Sequence, residues 1–135
     1  MGKVRYELAP DICGAVKAII ESGVLQHLAE VSVHCVRSRG SRSSAIARIY
    51  GLPRPWIVVL GYNPGYVIEV LSEKFDLLST DEKIRVLIHE LLHIPKTLSG
   101  ALRPHGKYVN SREVWKVFRK LKNTPYYERA VNALS

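Results

Sequence analysis

Between Ser79 and Pro95 the chain reads S-T-D-E-K-I-R-V-L-I-H-E-L-L-H-I-P, a stretch that admits little other than one capped helix. Ser79 followed by Glu82 is a capping box, and Asp81 and Glu82 set negative charge in the first turn, where the helix dipole favours it. Ile84, Leu87, Ile88, Leu91 and Leu92 recur at i, i+3, i+4, i+7 and i+8 and define one buried face. Pro95 disfavours helical geometry at Ile94, so the helix is predicted to stop there. Glu82, Arg85, His89, His93 and Lys96 fall on a different stripe, so the two histidines are not simply part of the apolar face. His93 sits in the last turn, where the negative end of the dipole favours a cation.

His89, Glu90 and His93 spell H-E-x-x-H. Residues four apart lie one above the other on a helix, so two imidazoles at that spacing form a ready pair of metal ligands. The glutamate beside the first histidine can then hold an activated water without being a ligand itself. The bland alternative is a buried helix with two hydrogen-bonded histidines, but motif, cap, face and stop all agree with the metal reading. A catalytic zinc wants three protein ligands and one open position. His105, flanked by Pro104 and Gly106 after a turn expected at Ser99-Gly100, is the best third ligand for one zinc ion. His27, His34 and Glu113 are weaker candidates, placed respectively in an early helix, a strand and a later helix. In a hydrolytic mechanism Glu90 is the general base. Tyr108 and Arg103, close to His105, are candidates to stabilise a developing oxyanion.

The segment Leu87-Ile88-His89-Glu90-Leu91-Leu92-His93-Ile94-Pro95, then Ser99-Gly100 and Leu102-Arg103-Pro104-His105-Gly106, resembles the active-site segment of a small family of zincin metallopeptidases from archaea and phages. The similarity extends back through Ala47 to Tyr50 and Tyr66 to Phe75, and so covers most of the chain. The resemblance implies a zincin-like fold, with His89, His93 and His105 as zinc ligands, Glu90 as catalytic base, and a peptide or protein substrate. The pattern departs from that of metzincins, whose third histidine lies much closer to the second. In zincins an edge strand beside the cleft commonly pairs with an extended peptide.

In chain order, Pro10-Asp11 opens a helix with Asp11 as its expected N-cap and Ile12, Val16, Ile19 and Ile20 on one face. Val31 to Arg37 alternates as a half-buried strand should, and Ala45 to Tyr50 can be a second strand. Trp56 to Leu60 reads as a short apolar strand, Gly61-Tyr62-Asn63-Pro64-Gly65 as a turn, and Tyr66 to Leu71 as the returning strand of a hairpin. Asn110 and Glu113 announce a capped helix with Val114, Val117, Phe118 and Leu121 on its apolar face. A turn at Asn123-Thr124-Pro125 and a short final segment follow. The expected architecture is α+β over residues 1–135 as one domain: a small antiparallel or mixed sheet packed against helices, with the H-E-x-x-H on the active helix.

No apolar run approaches the 18 or so residues of a transmembrane helix, and Met1 to Tyr6 lacks the apolar core of a secretory signal. Cys13 and Cys35 are too few for a disulfide framework, so a cytoplasmic, membrane-free protein is expected. The formal charge is +8 and is concentrated: residues 96–135 carry nine basic against two acidic side chains. Arg112, Lys116, Arg119, Lys120 and Lys122 lie off the apolar face of the last capped helix, as a nucleic-acid partner or a merely solvated surface would require. Two other functions fit the charge: a metal-dependent hydrolase acting on RNA, and a basic nucleic-acid-binding module with a structural zinc. Glu90 argues against the first, and the absence of an evident fourth ligand argues against the second.

Overall fold

The run Tyr66-Val67-Ile68-Glu69-Val70-Leu71 has too little polar content to leave one face in water, and it forms an inner strand. The computed structural model describes residues 3–61, 65–97 and 100–135. Among these a four-stranded sheet runs in the order β1 (Arg5–Leu8), β2 (Ser32–Arg39), β4 (Gly65–Leu71), β3 (Ala47–Gly51). β4 lies parallel to β2, with Ser32 opposite Gly65 and Ser38 opposite Leu71. It is antiparallel to β3, with Ala47 opposite Val70 and Gly51 opposite Tyr66. β1 pairs antiparallel with β2, Arg5 facing Arg39 and Leu8 facing Val36. The sheet is therefore mixed, and with six α-helices the architecture is α+β.

Helix α1 (Pro10–Glu21) carries Pro10 at its start, with Ala9 as N-cap. The cap expected at Asp11 is thus two residues late. Proline, with its fixed φ and no N–H, suits the first helical position, and this moves Asp11 into the first turn. There Asp11 takes a different partner, the Arg37 guanidinium at 3.1 Å, which also reaches Asp76 at 2.9 Å. The helix that carries His89 and Glu90 is α4 (Thr80–Leu92), entered through the one-turn helix α3 (Ser72–Phe75). Its capping box is formed in both directions: Glu82 N–H donates to Ser79 Oγ at 3.2 Å, and Ser79 N–H to Glu82 Oε1 at 3.0 Å. Ile84, Leu87, Ile88 and Leu91 are wholly buried, against the same core as Ile12, Ile19, Ile68 and Phe75. α5 (Ser111–Lys122) is capped by Asn110, whose Oδ1 accepts from Glu113 N–H at 2.9 Å, and buries Val114, Val117, Phe118 and Leu121.

Three elements depart from expectation. Residues 56–60 are not a strand: α2 (Arg54–Leu60) is a helix, with a proline in its first turn and Gly61 at its end in the left-handed region, φ 68°. The prolines and Gly61, which read as a strand break and a hairpin turn, are helix start and stop signals. The β-branched Val58-Val59 pair masked them. The remainder of the turn expected there, residues 62–64, lies outside the described residues. The final segment is a helix, α6 (Tyr126–Leu134), packed on α1. β1 was not expected at all: Val4 to Leu8 alternates apolar and charged residues, but the stretch is short and all four residues of β1 are exposed. No helix among the described residues is long and apolar enough to cross a membrane. Cys13 and Cys35 are free thiols, the second of them buried.

Candidate metal centre

The apolar face of α4 fixes the rotation of the helix, and that rotation brings His89 and Glu90 to its last turn with His93 as the C-cap. The end of the helix leaves carbonyls without intrahelical partners, and the segment after it supplies them. Arg103 N–H donates to the His93 carbonyl at 2.7 Å, and Arg103 Nε donates to the Leu92 carbonyl at 2.6 Å. A ring nitrogen of His27, in the 3-10 turn Gln26–Leu28, lies 3.0 Å from the Ile94 carbonyl. His93 Nδ1 lies 2.7 Å from the Arg103 carbonyl. A carbonyl can only accept, so Nδ1 carries a proton, and Nε2 is the nitrogen left to act as a ligand atom. A metal-ligating histidine needs this kind of outer partner to fix its tautomer.

His105 arrives on a strap formed by residues 100–109. Gly100 turns at φ 87°, and its N–H donates to the Tyr66 hydroxyl at 3.0 Å. That hydroxyl in turn donates to the Ala101 carbonyl at 3.1 Å. Ser99, the other half of the turn expected here, lies outside the described residues. At the end of β3 the backbone passes so close that a Cβ on Gly51 would run into the Gly100 carbonyl. Beyond His105, Gly106 N–H donates to the Val109 carbonyl at 3.0 Å, and Asn110 Nδ2 donates to the Gly106 carbonyl at 2.7 Å. The strap is thus pinned to β3, β4 and the end of α4. Gly51→Ala should push it away, lowering stability by about 1–3 kcal/mol and weakening metal retention. Paired thermal melts with and without added metal check this; an unchanged melt would refute the close approach.

These anchors bring the three histidines together. Their ligand atoms lie within 4.8 Å of one another, and ring centroids are separated by 4.7 to 5.2 Å. His89 Nε2 and His105 Nε2 stand 3.0 Å apart. Metal–nitrogen bonds of roughly 2.0–2.1 Å set ligand nitrogens about 3.3 Å apart around a tetrahedral ion, so the donor set fits one ion. Burial, and secondarily the nearby His93 and His105, hold the His89 ring below its usual pKa, which favours the neutral, ligating form. Glu90 is 8% exposed, and burial pushes its carboxyl up to about 7. Ala47, Arg48 and Ile49 of β3 form a wall of the hollow of about 310 Å³ that holds His89, Glu90, His93 and His105. β3 pairs with β4 alone among the described strands, so it is an edge strand of the sheet.

The remaining expected residues are distributed around this centre. The Arg103 guanidinium lies 4.5 Å from the ring centre of Tyr108, which is half exposed and, with Pro104 and Arg103, lines a second hollow on the other side of His105 that includes none of His89, Glu90 and His93. The α5 side chains Arg112, Lys116, Arg119, Lys120 and Lys122 are exposed, with Lys122 above Phe118 and Tyr127. His34 contacts Ser32 at 3.3 Å on β2. The outer partners were not foreseen: the Arg103 backbone, His27 and Tyr66. Arg103 lies ten residues beyond His93, too far along the chain for spacing to mark it as a partner of the helix end.

The α+β fold thus sets three histidines that could hold a metal ion beside a buried glutamate. The model of the family described as "Putative phage metallopeptidase" matches residues 4–134, and the chain belongs to that family. No curated protein and no solved structure matches the chain.

Proposed function

We propose that the chain is a zinc-dependent peptidase of zincin-like architecture, in which His89, His93 and His105 hold the ion and Glu90 is the catalytic base. One observation carries the reading. The ligand atoms of three histidines converge within 4.8 Å, and the next residue along the helix is a buried carboxylate. Zinc held there supplies a Lewis acid that makes water more acidic and polarises a carbonyl. An extended peptide lies along the outer edge of β3, where backbone N–H and C=O groups receive it without reading much sequence. Glu90 takes the proton of the attacking water and returns it to the departing amine nitrogen. Arg103 and Tyr108, stacked on each other beside His105, remain the two candidate oxyanion donors. The basic side chains of α5 take no part in this chemistry.

The test is cleavage of unfolded casein, or of a mixed peptide library, by the purified protein. Activity should fall below detection after dialysis against a chelator and return with one equivalent of zinc. RNA offered in the same buffer should stay intact. Peptide cleavage that survives complete metal removal would defeat the proposal, as would cleavage of RNA alone.

A further inference from the structure

A groove of about 520 Å³ opens beside the histidines, and nothing in the chemistry above uses it. His89 and Glu90 line both this groove and the hollow of the metal centre, so the two are continuous. Its walls are Ile46 just before β3, Leu78 and Val86 at α4, and Val114 and Trp115 of α5. Ile46 is 37% and Trp115 45% exposed. Both are large apolar side chains that the core does not cover. Arg85 completes the wall, its guanidinium 4.2 Å from the ring centre of Trp115 and 5.4 Å from that of Phe118. Of the two acids that line the groove, Glu82 is committed to the Ser79 amide in the capping box, and Glu90 stands at the end shared with the histidines.

A strand laid along β3 sends alternate side chains to the face shared by Ala47 and Ile49. Those two residues pack toward the core, on the side where α4 crosses β3. A peptide held on this edge therefore delivers a side chain into the mouth of the groove, next to Glu90. We infer that the groove is the subsite that selects the substrate. It seats one large apolar side chain, aromatic or branched aliphatic, beside the scissile bond, with Trp115 as the main contact. Arg85 turns away lysine and arginine at the same position. The inference rests on the peptidase reading and adds the class of peptide that is cut.

The experiment uses the zinc-loaded enzyme and a set of peptides that differ only at the residue seated in the groove. That position is found first by sequencing the products of a mixed library. The wild type should prefer leucine or phenylalanine over glycine by about 10- to 100-fold in kcat/KM, the range one apolar pocket supplies. Trp115→Ala should cut that ratio several-fold. Ala45→Phe, which fills the groove from its half-exposed rim, should invert it toward small residues. Arg85→Gln should raise the lysine peptide relative to the leucine peptide. Each ratio is measured within one preparation, so partial unfolding or incomplete metal loading cancels. Cleavage by the wild type with ratios unmoved in Trp115→Ala and Ala45→Phe would overturn the subsite and leave the peptidase reading standing. A wild type that cuts no peptide of the library would overturn both.

Discussion

Glu90→Gln should keep its metal and its fold and lose peptide hydrolysis by about 10²–10⁴-fold, the loss typical of a missing general base. The amide preserves the shape of the side chain in a position only 8% exposed, and the three histidines are untouched. A second signature accompanies this in the metal-free protein. Burial raises the Glu90 carboxyl to about 7 in the folded state, above its ordinary 4.5. The contribution of this group to stability is therefore complete below about pH 4.5 and is lost as pH rises through about 7. At about 1.4 kcal/mol per pK unit the loss is on the order of 3 kcal/mol. Glu90→Gln has no such loss, so the stripped variant should outlast the stripped wild type at pH 8 and not at pH 4. Kinetics on one substrate and denaturant melts at the two pH values measure both effects. A variant that cleaves at the wild-type rate would remove Glu90 from the mechanism; one that purifies without metal would make it a structural residue.

The next largest effect belongs to His105. His105→Ala leaves only the i, i+4 pair and should purify with far less than one zinc per chain. The loss of affinity should exceed the roughly 10–100-fold that follows from removing an outer hydrogen-bond partner. Because an ion that binds only the folded state stabilises it by mass action, added zinc should raise the melting temperature of the wild type and barely move that of the variant. Elemental analysis and melts with and without zinc read the result. Full occupancy in His105→Ala would mean that another side chain completes the site.

What could be read from residues alone was whatever depended on local periodicity. The capping box at Ser79 and Glu82, the apolar face of α4, and the Asn110 cap are all patterns contained within one to three helical turns, and each is present as expected. α2 was misread because two valines outweighed a proline start and a glycine stop, and because its apolar residues face solvent instead of a core. The order of the sheet was not legible either. β4 inserts between β2 and β3 through pairings across tens of residues, and nothing in those strands names a partner. His105 stood out by its flanking proline and glycine, whereas the Tyr66 hydroxyl and the Arg103 carbonyl that set the strap around it act over distances that sequence spacing does not encode.

The brace between Arg103 and the end of α4 has a kinetic consequence. Eleven residues separate His93 from His105. Closing a free loop of that length carries an entropic cost of roughly 2 kcal/mol beyond a fixed term. With the Arg103 N–H held by the His93 carbonyl, its Nε by the Leu92 carbonyl, and its own carbonyl by the His93 ring, only Pro104 separates the anchor from the third histidine. That closure belongs to folding and not to capture of the ion. On the proposed reading, an incoming ion would meet three nitrogens already gathered, and its exchange with solvent should be timed by how often the strap lifts from α4, not by any remodelling of the helix.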